Sequence, residues 1–313
     1  IYSALTFFKS SAIILSHLIG SRGMEMGMGL MDLLRGDKKS PAGVLPELPQ
    51  QFFTRAHGPK IVTFWSSKGG TGKTSVALNT CAYLKSKGNR NVVLIDIDEF
   101  GDTGLSSGVE ERYRGKPPRP EDLIPNISSI RSFEELEPFL IREDLTGLYM
   151  LMSPKTFDDN RKPTIEGYKR IVNLLAQYFN VIAFDCGDRL YDDYTRFALL
   201  NCNVLVIIAD QGKPTLQNLS EVLQEFANPG SGIGRDKMIM VVNKFRENVG
   251  MPISRLKEWF GQAVFTILPI KALDKDFLKS LNKGDIFIMK SNSAEVKNQY
   301  REIVSSILEK FYQ

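Results

Sequence analysis

Residues 64–75 read FWSSKGGTGKTS. The apolar run at 61–66 has the character of a short buried strand. The periodic stretch at 74–87, closed by Gly88, has that of a helix. A strand that enters glycines and leaves as a helix aims successive backbone N–H groups, with the positive end of the helix dipole, at one point that suits phosphate oxygens. The phosphate-loop pattern G-x-x-x-x-G-K-[ST] fits at Gly72-Lys73-Thr74, where the lysine bridges the terminal phosphates and the threonine hydroxyl reaches Mg2+. Two departures stand out. Ser67 occupies the position of the first glycine, and a second lysine, Lys68, follows it.

Outward from this loop the chain alternates strand and helix signals. Apolar runs at 92–96, 148–152, 181–185, 204–209, 238–242 and 264–268 are separated by helical stretches. That rhythm predicts an α/β fold with a doubly wound, mostly parallel sheet and helices on both faces. Such sheets bind ligands at the carboxyl ends of their strands. Three carboxylates stand at or just beyond such ends: Asp96 and Asp98 in VVLIDID, and Asp185 in VIAFDCGD. A lone acid after a strand is usually a cap or turn former. Three of them downstream of a phosphate loop point to metal and water positioning, because Mg2+ takes only one or two protein oxygens. The stretch 110–144, with Lys116-Pro117-Pro118-Arg119-Pro120, breaks the rhythm and reads as a surface excursion.

The 313 residues are 42% apolar and 24% charged, enough for a large core. Cys81, Cys186 and Cys202 have neither disulfide nor Cys-x-x-Cys spacing, which fits a reducing cytoplasm. The net charge of +4 permits contact with nucleic acid or anionic lipid without requiring it. Residues 1–20 place Ser3, Thr6, Lys9, Ser10, Ser16 and His17 opposite Leu5, Phe8, Ala12, Leu15 and Ile19. That is an amphipathic helix rather than a membrane span, which is apolar all round for about 20 residues. Glycine, methionine and proline then mark a linker. The expected organisation is residues 1–58 as an N-terminal helix and linker, the remnant of an upstream domain, and 59–313 as the nucleotide domain.

Ser67-Lys68-Gly69-Gly70-Thr71-Gly72-Lys73-Thr74 resembles the deviant Walker A motif of the MinD/ParA class of P-loop ATPases, which is marked by the early lysine. LIDIDEFGDTG (94–104) resembles the class's switch I, FDCGD (184–188) its Walker B and switch II, and VVNKF (241–245) its adenine-contacting strand end. ILPIKALDKDFLKSLNKGDIFI (267–288) resembles the segment that follows, where a proline loop lines the base. The resemblance implies ATP and Mg2+ as cofactors and a homodimer on ATP binding, with Lys68 reaching across to the partner's phosphates. A lysine supplied in trans to developing phosphoryl charge acts like an arginine finger. It implies Gly69, Gly70, Thr71, Gly72, Lys73, Thr74 and Ser75 as the nucleotide cradle and Thr74, Asp96 and Asp185 as the metal support. Asp98 would orient the attacking water, and Asn243 and Pro269 would meet the base. Lys68, Lys73 and Asp98 carry the catalysis. Lys244 stands where the class commonly has arginine, and CGDRL replaces a proline-containing turn.

Within the class, the chain has no paired interface cysteines, and the closing SAEVKNQYREIVSSILEKFYQ reads as a packed helix rather than a basic membrane tail. DEFGDTGLSSGV (98–109), GLYMLMSPKTFDD (147–159) and NVIAFDCGD (180–188) are most similar to the CpaE/TadZ branch. That branch implies a slow positional switch for assembling a type IV-like Tad pilus, with pilus or secretion partners and recruitment to the cell pole or inner-membrane face. A ParA-type partition ATPase and a non-hydrolysing nucleotide scaffold are the alternatives. Lys271, Lys275, Lys279 and Lys283 fall four apart, opposite Leu273, Phe277 and Leu281. They read as a solvated helix face, with non-specific DNA binding as the other reading.

Overall fold

Among the described residues, eight strands form one sheet in the order β3-β4-β2-β5-β1-β6-β7-β8. The computed structural model describes residues 58–87, 91–98, 116–155 and 161–312, with Gly101, Thr103, Ser107 and Tyr113 between them. These residues belong to one unit. The strands are β1 (Lys60–Trp65), β2 (Val92–Asp96), β3 (Ile141–Arg142), β4 (Tyr149–Leu151), β5 (Val181–Asp185), β6 (Val204–Ala209), β7 (Met238–Phe245) and β8 (Thr266–Lys271). All neighbours pair in parallel except β3, which runs antiparallel to β4.

Alternation along each strand explains the unbroken apolar runs. Val62 and Phe64 of β1, Leu94 of β2 and Ala183 of β5 join one core layer. Trp65, Val93, Ile95, Ile182 and Phe184 join the other. Both faces are covered, so neither set of side chains has reason to be polar. The first layer packs on α1 (Lys73–Lys87) and α10 (Ala294–Phe311). The second packs on α4 (Ile165–Leu175), α5 (Asp193–Asn201), α6 (Lys213–Phe226) and α7 (Ile253–Phe260). The closing segment is thus a packed helix: Ile303, Val304, Ile307 and Leu308 of α10 are buried.

Four expectations change. The stretch expected as a surface excursion contributes to the core: Leu123, Ile130, Leu136 and Leu140 are buried, and the buried Arg119 hydrogen-bonds the Ser153 carbonyl. Its helices, α2 (Pro120–Leu123) and α3 (Phe133–Leu136), are single turns, too short to produce a 3.6-residue period. The last strand begins at Thr266 and contains Pro269, opposite Val242, so that proline lies in a strand and not in a loop. An edge strand tolerates it because its missing N–H has no ladder partner to serve. The β7 strand runs three residues past 242, carrying Asn243 and Lys244. Lastly, Lys271 is not on the lysine helix. It ends β8 and its ammonium pairs with Glu295 at 2.7 Å, while α8 (Asp274–Leu281) starts later and ends before Lys283.

Of the helix and linker expected at residues 1–58, residues 1–57 lie outside the described residues. Among the described residues, no helix is long and apolar enough to cross a membrane. The three cysteines are free and buried.

Candidate functional site

The chain leaves β1 at its carboxyl end, turns through 66–72 and enters α1 at Lys73. The turn holds itself in shape. The buried Thr71 hydroxyl donates to Ser66 Oγ at 3.0 Å, and Ser66 Oγ donates to the Lys68 carbonyl at 3.0 Å. Gly70 and Gly72 take φ of +77° and +92°, which L side chains rarely adopt. Lys68, Gly69 and Gly70 are exposed, while Lys73, Thr74 and Ser75 at the start of the helix are half-buried.

Two residues from the end of β7 brace this loop. Asn243 Nδ2 donates to the Thr71 carbonyl and Lys244 Nζ to the Gly70 carbonyl, each at 2.8 Å. Lys244 has φ of +54°, an uncommon value away from glycine, and Cβ at Gly72 would collide with the Asn243 amide. The sequence assigned Asn243 to the base; here its amide packs on the loop. Farther into α1, the Ser75 carbonyl accepts from Asn79 Nδ2 at 2.7 Å, and Asn79 Oδ1 accepts from Ile288 N at 2.6 Å. That buried amide ties α1 to α9 (Phe287–Lys290). Pro269 is half-buried in β8, opposite the residue before Asn243.

Across the loop stand the carboxylates. Asp96 and Asp185 end adjacent strands and face one another in register. Both are almost fully buried. Thr103 joins them: its hydroxyl donates to Asp185 Oδ2 at 3.2 Å and its amide to Asp96 Oδ2 at 3.3 Å. Asp98 N donates to Asp96 Oδ1 at 3.1 Å, and Cβ at Gly101 would collide with the Asp96 carboxylate. Burial foremost, then the charge of Asp185, holds the Asp96 carboxyl well above the ordinary range. Burial likewise raises Asp185 to about 6, opposed by the Thr74 hydroxyl and the Lys73 ammonium and assisted by Asp98. The structure therefore brings Lys73, Thr74, Asp96, Asp98 and Asp185 together around one point.

Among the described residues, no donor hydrogen-bonds the buried Asp185 Oδ1. A buried carboxylate oxygen without a partner is costly, and the Thr74 hydroxyl beside the same carboxylate makes this an oxygen pair suited to Mg2+. Among the described residues no group of three or more His, Cys, Asp or Glu side chains forms a metal cluster. Next to Asp98, a small cavity of 110 Å3 is lined by Gly187, Asp188, Arg189, Asp192 and the buried Thr195.

Sequence reasoning missed Thr103, Asn79 and the bracing role of Lys244. Thr103 sits inside the quoted switch segment, so its place was legible although its contact was not. Cys186, next to Asp185, is buried, and burial drives its thiol far up, so it is inert rather than reactive.

A mostly parallel sheet with a glycine loop at the end of β1, and buried aspartates ending β5 beside it and β2 beyond, defines a P-loop nucleotide-binding fold. Residues 62–284 match the CobQ/CobB/MinD/ParA nucleotide binding domain, and the chain belongs to that family. It is 26% identical over 221 residues to the sporulation initiation inhibitor protein Soj of Bacillus subtilis, covering 67% of this chain and 84% of that protein. It is 24% identical over 190 residues to an uncharacterized ATP-binding protein of Methanocaldococcus jannaschii, covering 59% of this chain and 66% of that one. Among solved structures, a ParA family ATPase from Chlorobium tepidum superposes with a TM-score of 0.64 at 18% identity, over 78% of this chain and 98% of that chain. MinD from Pyrococcus horikoshii complexed with Mg-ADP gives 0.60 at 18% identity, over 79% and 96%. At these identities the likeness establishes the shared fold.

Proposed function

We propose that this chain is a Mg2+-dependent ATPase that dimerises on ATP and serves as a slow assembly switch, in the manner of the CpaE/TadZ branch for a type IV-like pilus or related secretion machine. The observation that carries the reading is the pair of lysines on one loop. Lys73 lies at the helix start, where its charge reaches Asp185, and Lys68 is exposed on the outer side of the turn. Residues 59–313 form the ATPase domain in this reading, and 1–58 precede it.

Each residue has a task. Backbone N–H groups of residues 69–75 and the Lys73 ammonium bind the β- and γ-phosphates. Thr74, Asp96 and Asp185 would hold Mg2+, which would supply positive charge against the phosphates. Asp98 orients the attacking water beside the small cavity that it lines. Lys68 projects to the phosphates of a second copy, so hydrolysis waits on dimerisation. The test separates the two lysines by isothermal titration and light scattering. Lys73→Ala should abolish ATP binding, whereas Lys68→Ala should retain it and fail to form the ATP-dependent dimer. A Lys68→Ala protein that dimerises normally with ATP removes the trans role.

A partition ATPase of ParA type is the second reading, favoured by the similarity to Soj and to a ParA family ATPase. It predicts ATP-dependent binding to unrelated duplexes that weakens steeply with salt, through counterion release. Lys275, Lys279 and Lys283 are the exposed candidates for that surface, since Lys271 is engaged by Glu295. Asp274 and Asp276 interrupt it, so little binding is expected at physiological ionic strength. Tight duplex binding that Lys275→Glu/Lys279→Glu eliminates with ATP affinity intact makes partition the leading function.

A further inference from the structure

At the amino-terminal ends of β2, β4 and β5, on the side of the sheet opposite the phosphate loop, lies a cavity of 430 Å3. Its lining falls into two chemical halves. One half is cationic: Lys85, from the last turn of α1, and Arg142, at the end of β3. They converge on Gly147, whose Cβ position lies 3.4 Å from Arg142 Nη2 and 3.6 Å from Lys85 Cε. Gly147 itself has φ of +70°, so this close approach rests on a glycine. The other half is aromatic: Phe133, Tyr149, Tyr178 and Phe179, with ring centroids 5.4 to 6.0 Å apart in tilted and edge-on pairs.

The charge balance is unusual for a merely structural cluster. Among the described residues, neither cation is paired with a carboxylate. Lys85 Nζ donates to the neutral Asn91 Oδ1 at 3.3 Å, and Glu137 accepts from the Tyr149 hydroxyl at 2.7 Å. Two like charges held side by side, one of them half-buried, repel each other and lose hydration. Burial first, then the Arg142 charge, keeps the Lys85 ammonium below the ordinary lysine range. An anion between them reverses both costs, and a guanidinium beside an ammonium suits phosphate in particular. The aromatic wall suits a flat ring held by offset or edge contact. A volume of 430 Å3 is within the range of pockets that take small molecules.

We propose that this cavity is a second ligand site, separate from the phosphate loop, which takes a singly phosphorylated planar molecule of the nucleoside-monophosphate class: phosphate on Lys85 and Arg142, ring against Tyr149 and Phe133. Its place at the far end of α1 puts it on the same helix whose first turn closes the phosphate loop.

The test is isothermal titration of the full chain saturated with Mg-ADP, so that the phosphate loop is filled, with AMP, adenosine and inorganic phosphate as separate probes. AMP should bind one per chain, and adenosine and phosphate each about tenfold or more weaker, because each keeps only one half of the contacts. Arg142→Gln, an exposed substitution, and Lys85→Gln should each weaken AMP by about tenfold while leaving ADP affinity unchanged, which also certifies the fold. The proposal is overturned if AMP gives no saturable signal at millimolar concentration, if phosphate binds as tightly as AMP, or if AMP binding survives both substitutions undiminished.

Discussion

Replacing Asn243 by alanine separates two tasks that one side chain can hold, reading a base or bracing the loop. In the structure Asn243 Nδ2 donates to the Thr71 carbonyl at 2.8 Å, and the amide lies against Gly72 closely enough that Cβ there would collide with it. Removing the amide deletes one partly buried hydrogen bond, about 0.5–1.5 kcal/mol. It also leaves the Thr71 carbonyl without this donor and opens space beside Gly72, so a total of roughly 1–2 kcal/mol follows. None of this involves nucleotide. Urea denaturation without ligand, followed by circular dichroism, should therefore show Asn243→Ala shifted to lower midpoint by about 0.3–1 M, taking a slope of roughly 2–3 kcal/mol/M. Lys244 Nζ, on the neighbouring Gly70 carbonyl, remains as a second brace and limits the loss. An unchanged midpoint without nucleotide, combined with lost preference for ATP over GTP, refutes the bracing argument and returns Asn243 to the base alone.

Two further outcomes follow from the carboxylates. Asp98→Ala should bind ATP, accumulate as a dimer and stop turning over, because nothing then orients the attacking water; normal phosphate release by this variant, measured in a coupled assay, assigns that task to another group. For Asp185, burial foremost raises the carboxyl to about 6 from an ordinary 3.8. Between those values the native state holds a proton that the unfolded chain has lost, so the nucleotide-free protein loses stability as pH rises through that window and levels off above it. Asp96, raised in the same direction, adds to the slope. Mg-ATP affinity should run the other way, rising through pH 6 as Asp185 ionises. Denaturation midpoints from pH 4 to 7 for the wild type and Asp185→Asn check this, and a wild type that gains stability relative to the variant across that range contradicts the sign.

The sequence by itself determined the class of fold and the phosphate loop. Strand-length apolar runs between helical stretches arise because both faces of a parallel sheet are buried, so Val62 and Trp65 are equally apolar although they enter different core layers. The loop was legible because glycines at positive φ and a lysine at a helix start are local requirements, met by adjacent residues. Asp96, Asp98 and Asp185 were legible as strand ends for the same reason.

Only the tertiary structure decided what depends on residues distant along the chain. That Asn243 and Lys244 reach the loop from β7 follows from β1, β6 and β7 lying side by side, an order no local pattern encodes. The burial of 120–140 escaped the pattern because its one-turn helices are too short to repeat. The lysine spacing misled in the opposite way: four residues apart implies one face only if a single helix spans all of them, and β8 still holds Lys271. The convergence of Lys85 and Arg142 on Gly147 joins a helix end, a two-residue strand and a turn. Local propensity acts over a few residues, whereas such contacts are set by the packing of whole layers, and that difference in range is why the loop could be read and its surroundings could not.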